Sequence, residues 1–187
     1  MRLFLAIELS ASVVEALAEA SAPLRAAAPT LAWVPGDKCH LTLKFLGEVP
    51  AERLERIVGM SDDVARAQRP FAMQLSGFGA FPNFPGARVV WTGVEHDARL
   101  ELLQHVLEIA SGEEGFELEG RAFRPHVTVA RVRTPLGEDE VGRLARVAQA
   151  IDFSATQDVA VISLFESTPA PDGATYRRLR AATLGGR

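Results

Sequence analysis

Two segments decide the reading of this chain: HLTLKFLG at residues 40–47 and HVTVARV at residues 126–132. Each begins His-x-Thr-x, in a protein of 187 residues with four histidines. Both alternate polar and apolar residues, which is the two-residue period of a half-buried strand. In the first segment this places Lys38, His40, Thr42 and Lys44 on one face and Leu41, Leu43 and Phe45 on the other. In the second, His126 and Thr128 share a face with Arg124, while Val127 and Val129 pack inward.

The echo has a register. His126 follows His40 by 86 residues, Arg88 follows Arg2 by 86, and Ser163 follows Gly77 by 86. One offset over three separated segments implies two tandem copies of strand, helix, strand, helix, strand, at about 1–86 and 87–187. The expected architecture is one α+β domain over 1–187, bilobal, with two pseudo-symmetric antiparallel sheet-plus-helix lobes around a central cleft. A pocket between such halves is a usual ligand site.

The elements are read from period and punctuation. A strand at Arg2–Ile7 leads to a helix capped by Ser10, with Val13, Val14, Leu17 and Leu24 inward. A short TLAWV segment precedes the His40 strand, and Leu54, Ile57, Val58 and Val64 mark a second helix after Pro50. FAMQLSGFGAF is a strand, followed by the punctuated loop PNFPGA. Beyond Arg88 come the strand RVVWTGV, a helix capped by Asp97, the His126 strand, a helix over Glu138–Ala150, the strand VAVISLFES and a last strand, TYRRLRAAT, without a counterpart.

Composition excludes several classes. The net charge of −4 opposes binding along an extended DNA or RNA tract, though it leaves room for a local basic pocket. The single cysteine, Cys39, forms no intrachain disulfide and no thiolate metal cluster, and it reads as a small buried filler. The apolar run Leu3–Ile7 is too short for a signal segment or a membrane span. The expectation is a cytoplasmic monomer that binds no membrane.

What do two His-x-Thr strands do when they face one another? One neutral imidazole is a base and one protonated imidazole an acid. Hydroxyls and a guanidinium are donors suited to the oxygens of a phosphate whose charge grows as it becomes five-coordinate. In-line displacement at phosphorus needs base and acid on opposite sides, so phosphodiester chemistry without metal or other cofactor fits. A zinc site fits less well, since only His96 and His105 remain and HExxH and CxxC are absent. G-x-S-x-G and Walker-type phosphate loops are absent as well.

HLTLKFLG at 40–47 and FRPHVTVARV at 123–132 resemble the paired signatures of the 2H phosphoesterase superfamily. The opening RLFLAIEL and the WVP before the first motif resemble its RNA 2′,3′-cyclic phosphodiesterase branch, also called 2′-5′ RNA ligase. The resemblance runs from Arg2 to about Arg180. It implies hydrolysis of RNA 2′,3′-cyclic phosphate ends to 2′-phosphomonoesters, with 2′-5′ ligation where a 5′ hydroxyl replaces water. By position it implies His40 as proton donor, His126 as proton acceptor, and Thr42, Thr128 and Arg124 as substrate-binding residues. Lys38 stands where the family has no signature. The implied partner is RNA ending in a cyclic phosphate, or a small cyclic nucleotide, and not DNA, which lacks the 2′ hydroxyl.

Two other readings remain: a non-catalytic nucleotide- or RNA-binding module, or a phosphodiesterase for ADP-ribose 1″,2″-cyclic phosphate or 2′-5′ oligonucleotides. Further candidates are Phe81 and Phe84 for base stacking, and Arg131, Arg133, Arg177, Arg178 and Arg180 for an RNA path. Trp33 and Trp91 read as core or cleft border, and His96 and His105 as solvated.

Overall fold

A computed structural model describes residues 1–170 and 173–185. Within them nine strands form one antiparallel sheet: β1 (Arg2–Glu8), β2 (Ala32–Trp33), β3 (His40–Glu48), β4 (Phe71–Phe81), β5 (Val89–Val94), β6 (His126–Arg131), β7 (Ser154–Val159), β8 (Val161–Thr168) and β9 (Thr175–Thr183). Four helices cover it: α1 (Ala11–Ala27), α2 (Leu54–Ala67), α3 (Ala98–Glu113) and α4 (Glu138–Ala150). The caps are those read from sequence. Ser10 accepts from the Val13 amide, and Asp97 from the Arg99 and Leu100 amides.

The sheet order is β7-β4-β5-β6-β3-β1-β8-β9, with β2 on the edge of β6. Read outward from its centre the order is palindromic: β3 answers β6, β1 answers β5, β8 answers β4 and β9 answers β7. The last strand therefore has a spatial counterpart after all, in β7. That strand is absent from the sequence expectation, because SATQDV carries too few apolar residues to announce itself.

Each lobe draws on both sides of residue 86. β4 lies beside β5, and β8 lies beside β1. The helices follow the same exchange, with α2 and α3 over the β3 lobe and α1 and α4 over the β4 lobe. The offset is also less uniform than the sequence suggests. Phe4 and Val89 hold equivalent places, opposite Phe45 and Arg131, and Phe165 and Phe81 in turn pair with them. The offset is 85 for the first strand pair and 84 for the third, so only the motif strands keep 86.

The main core lies between sheet and helices and includes Leu3, Leu5, Leu41, Leu75, Leu103, Val127 and Leu144. A smaller cluster of Phe4, Ala6 and Phe165, with Tyr176 against it, occupies the opposite face of the sheet. The lobes meet where β3 and β6 share one ladder pair, Leu41 with Val127, both fully buried. Among the described residues no helix is long and apolar enough to cross a membrane.

Replacing Leu41 by alanine removes side-chain contacts at the ladder pair that joins β3 to β6. It should destabilise the fold by about 2–5 kcal/mol, read as a lower urea midpoint with little change in slope.

Candidate active site

The ladders fix which side chains share the cleft. Leu41 stands opposite Val127 and both point into the core, so the antiparallel register sets His40 across from Thr128 and Thr42 across from His126 on the other face. The two motifs thus interlock diagonally, each histidine beside the other motif's threonine.

Alternation fails one step later. On β1, Ala6 pairs with Thr42 but Leu5 pairs with Lys44, which leaves Leu43 as an extra, bulged residue. On β5, Trp91 pairs with Thr128 but Val90 pairs with Ala130, which leaves Val129 extra in the same place. Each bulge reverses the faces beyond it. Lys44, expected in the cleft with Lys38, His40 and Thr42, is instead buried on the helix side, 5% exposed. Phe45, expected in the core, stands 65% exposed on the cleft side, and Arg131 occupies the equivalent place in the other lobe.

Both imidazoles are held in the same way. His40 Nδ1 lies 2.8 Å from the Lys38 carbonyl oxygen and His126 Nδ1 lies 2.7 Å from that of Arg124. A carbonyl only accepts, so each Nδ1 carries the hydrogen and Nε2 is left as the reactive nitrogen. Their surroundings differ. His40 packs on Phe4 at 5.0 Å, meets Tyr176 edge-on at 5.1 Å and has Phe165 at 6.3 Å. Among the aromatic rings of the described residues, His126 meets only Phe81, edge-on at 5.0 Å. Burial lowers the pKa of His40 from 6.5; Arg131 and His126 lower it further, while the Lys38 carbonyl and Glu8 oppose them.

The other predicted residues are placed as follows. Thr42 and His126 line a large groove together with Arg124, Phe81, Phe45 and Arg88. Arg124 is exposed and its guanidinium has no carboxylate partner among the described residues. Lys38 is drawn away, donating to the Ala174 carbonyl at 3.2 Å. Phe81 buttresses His126 and Trp91, and Phe84 packs against the main core, so neither is a free stacking surface. Of the basic set, Arg177, Arg178 and Arg180 are paired with Glu166, Glu8 and Asp62, which leaves Arg131 and Arg133.

Trp33 is half-buried under Arg25, whereas Trp91 borders the cleft. Its ring lies over Gly79, where a Cβ would come within 2.4 Å of it, so only glycine fits there. Cys39 is buried and its thiol is pushed up to about 11, a filler against the Thr128 carbonyl. His96 is exposed and pairs with Glu101 at 3.0 Å. No three of His, Cys, Asp and Glu come together as metal ligands among the described residues.

Sequence reasoning missed Phe45, Tyr176 and the aromatic bed of His40, and it named Arg131 for an RNA path without its place equivalent to Phe45 in the other lobe. One signal was present: Arg131 follows Phe45 by 86, the spacing of the histidines.

The LigT-like phosphoesterase family model matches residues 7–91 and again 93–176, one match for each His-x-Thr motif. The chain belongs to that family. It is 33% identical to the RNA 2′,3′-cyclic phosphodiesterase of Methanothermobacter thermautotrophicus, over 98% of this chain and 99% of that one. The enzyme of that name from Thermus thermophilus is 34% identical over 100% of this chain and 91% of its own. Among solved structures, TT0787 of Thermus thermophilus superposes with a TM-score of 0.81 at 30% identity, covering 100% of this chain and 99% of that one. Escherichia coli LigT, solved with 3′-AMP, gives 0.73 at 27% identity over 98% and 97%. These establish the bilobal α+β fold of a 2H phosphoesterase.

The aromatic bed predicts where His40 titrates. Its ring protons should show an NMR midpoint below 6.5, and Tyr176→Ala, which opens one wall to water, should move it upward. The unfolded chain binds this proton more tightly than the folded one, so folding stability falls as pH drops through 6.5 toward that midpoint.

Proposed function

We propose that the enzyme hydrolyses the 2′,3′-cyclic phosphate at RNA ends to a 2′-phosphomonoester, without a metal ion. The observation that carries this reading is the diagonal interlock of two His-x-Thr pairs on one face, each imidazole held through Nδ1 so that Nε2 is left free.

In this reading the phosphate sits between the motifs. Thr42 and Thr128 donate hydrogen bonds to its non-bridging oxygens, and Arg124 offsets the charge that grows in the transition state. His126, the less enclosed ring, takes a proton from water in the groove. His40 gives one to the departing 3′ oxygen. In the free enzyme the buried His40 is mostly neutral near pH 7. An anionic cyclic phosphate in the cleft favours its cation, so His40 takes up a proton from solvent as the substrate binds and holds it for the departing oxygen.

The exposed face of Phe45 offers a base a stacking surface three residues past Thr42. A 5′ hydroxyl in the position of water would give 2′-5′ ligation by the same transfers. The name shared by the curated relatives and the 3′-AMP held by E. coli LigT support a nucleotide substrate. We also propose that residues 1–187 act as one catalytic unit, a duplicated and monomeric cytoplasmic enzyme.

A cyclic-ended oligoribonucleotide should become a 2′-phosphate product in excess EDTA, and complete loss on chelation would sink the metal-free mechanism. His40→Ala and His126→Ala should each lower kcat on the order of 10²–10⁴-fold while leaving the thermal unfolding of the protein cooperative.

A further inference from the structure

The two motif strands differ in what covers their far edges. Past Val127, the edge of β6 is closed by β2: Trp33 pairs with Ala130, and the Val34 amide donates to the Val129 carbonyl at 2.9 Å. Past Leu41, the edge of β3 has no such strand among the described residues. The segment that by pseudo-symmetry would close it, residues 116–124, stands off, and a groove of about 1290 Å3 lies between them. That exceeds the roughly 300–1,000 Å3 of a usual small-molecule pocket.

A buried ion pair ties the segment to the helix side of β3. The Leu43 bulge turns Lys44 toward α3, where its Nζ donates to Glu108 Oε1 at 2.6 Å and to the Glu117 carbonyl at 2.7 Å. Glu108 Oε1 also accepts from the Glu119 amide at 2.5 Å. Upstream, the Arg53 guanidinium donates to the Glu114 carbonyl and lies over the Phe116 ring. The position equivalent to Lys44 in the other lobe is Ala130, where a strand does the closing. A charged pair 5% and 14% exposed is an unusual choice for loop anchoring, and it serves the motif strand whose edge is left open among the described residues.

We propose that Lys44 and Glu108 are a positioning pair that keeps residues 116–124 away from the β3 edge, so that the groove accepts the RNA strand upstream of the cyclic end. This rests on the phosphodiesterase reading above. The groove starts at Thr42 and His126, and Arg88 and Arg124 line it without carboxylate partners among the described residues. Arg124 faces the cyclic phosphate in that reading, so Arg88 is the cation left for a phosphodiester of the upstream chain, which a cyclic mononucleotide lacks. The pair thereby sets a preference for polymer ends over mononucleotides.

Lys44→Met alone strands a buried carboxylate, so the informative variant is Lys44→Met/Glu108→Leu, which removes both charges. The KM for a cyclic-ended tetranucleotide should rise about tenfold with kcat held, while 2′,3′-cyclic CMP stays within about twofold on both parameters. Amides at 116–119 should exchange faster with deuterium. Equal losses on both substrates, or no change on either, overturn the proposal. If the double variant does not fold, Glu108→Gln keeps the acceptor but not the charge, and its tetranucleotide KM alone should rise. A wild-type protein that turns over neither substrate defeats the phosphodiesterase reading. Amide exchange and the affinity for the tetranucleotide by fluorescence anisotropy then still decide the role of the pair.

Discussion

One backbone pair, Leu41 with Val127, holds the two lobes in a single sheet. Without it the motifs would have no common register. The single pair fixes the phase of both strands, and because strand side chains alternate, fixing one residue fixes its neighbours. Every relation in the site follows from that phase: histidine across from threonine, twice, on the face away from the helices.

The bulges make this short ladder sufficient. Leu43 and Val129, each one residue past a motif threonine, bend their strands and reverse the faces beyond. Phe45 and Arg131 are thereby delivered to the cleft three residues after Thr42 and Thr128, where strict alternation would have buried them. The exchange of third strands completes the arrangement. Phe165 from the second half of the chain reaches the His40 lobe, and Phe81 from the first half reaches His126. Neither half of the chain holds a complete histidine environment by itself.

The parts of this legible in sequence were those with local signals. The His-x-Thr echo, the phase of residues 40–42 and 126–128, the capped helices and the apolar stripes each rest on residues a few positions apart. The rest depends on distant partners. Nothing local distinguishes a bulged Leu43 from a regular one, so Lys44 and Phe45 were assigned to each other's faces. The pairings of Arg177, Arg178 and Arg180 connect β9 to Glu166, Glu8 and Asp62, two of them more than 100 residues away. The exchange of the third strands between lobes was hidden for the same reason, since tandem copies in sequence suggest copies that stay apart in space.

Pseudo-symmetry places two similar acid–base groups in one cleft, yet a displacement at phosphorus needs them to act differently. The difference is built from second neighbours. Phe4, Phe165 and Tyr176 surround His40, whereas His126 opens onto a groove wide enough for water or a second strand. Trp91 answers Ala6 on the cleft floor, and the ring is accommodated because Gly79 lies beneath it. A duplicated frame supplies matched positions, and substitutions around them divide the labour. The residues that make the halves unlike, Phe45 against Arg131 and Lys44 against Ala130, are therefore where differences in substrate choice among such enzymes should be sought.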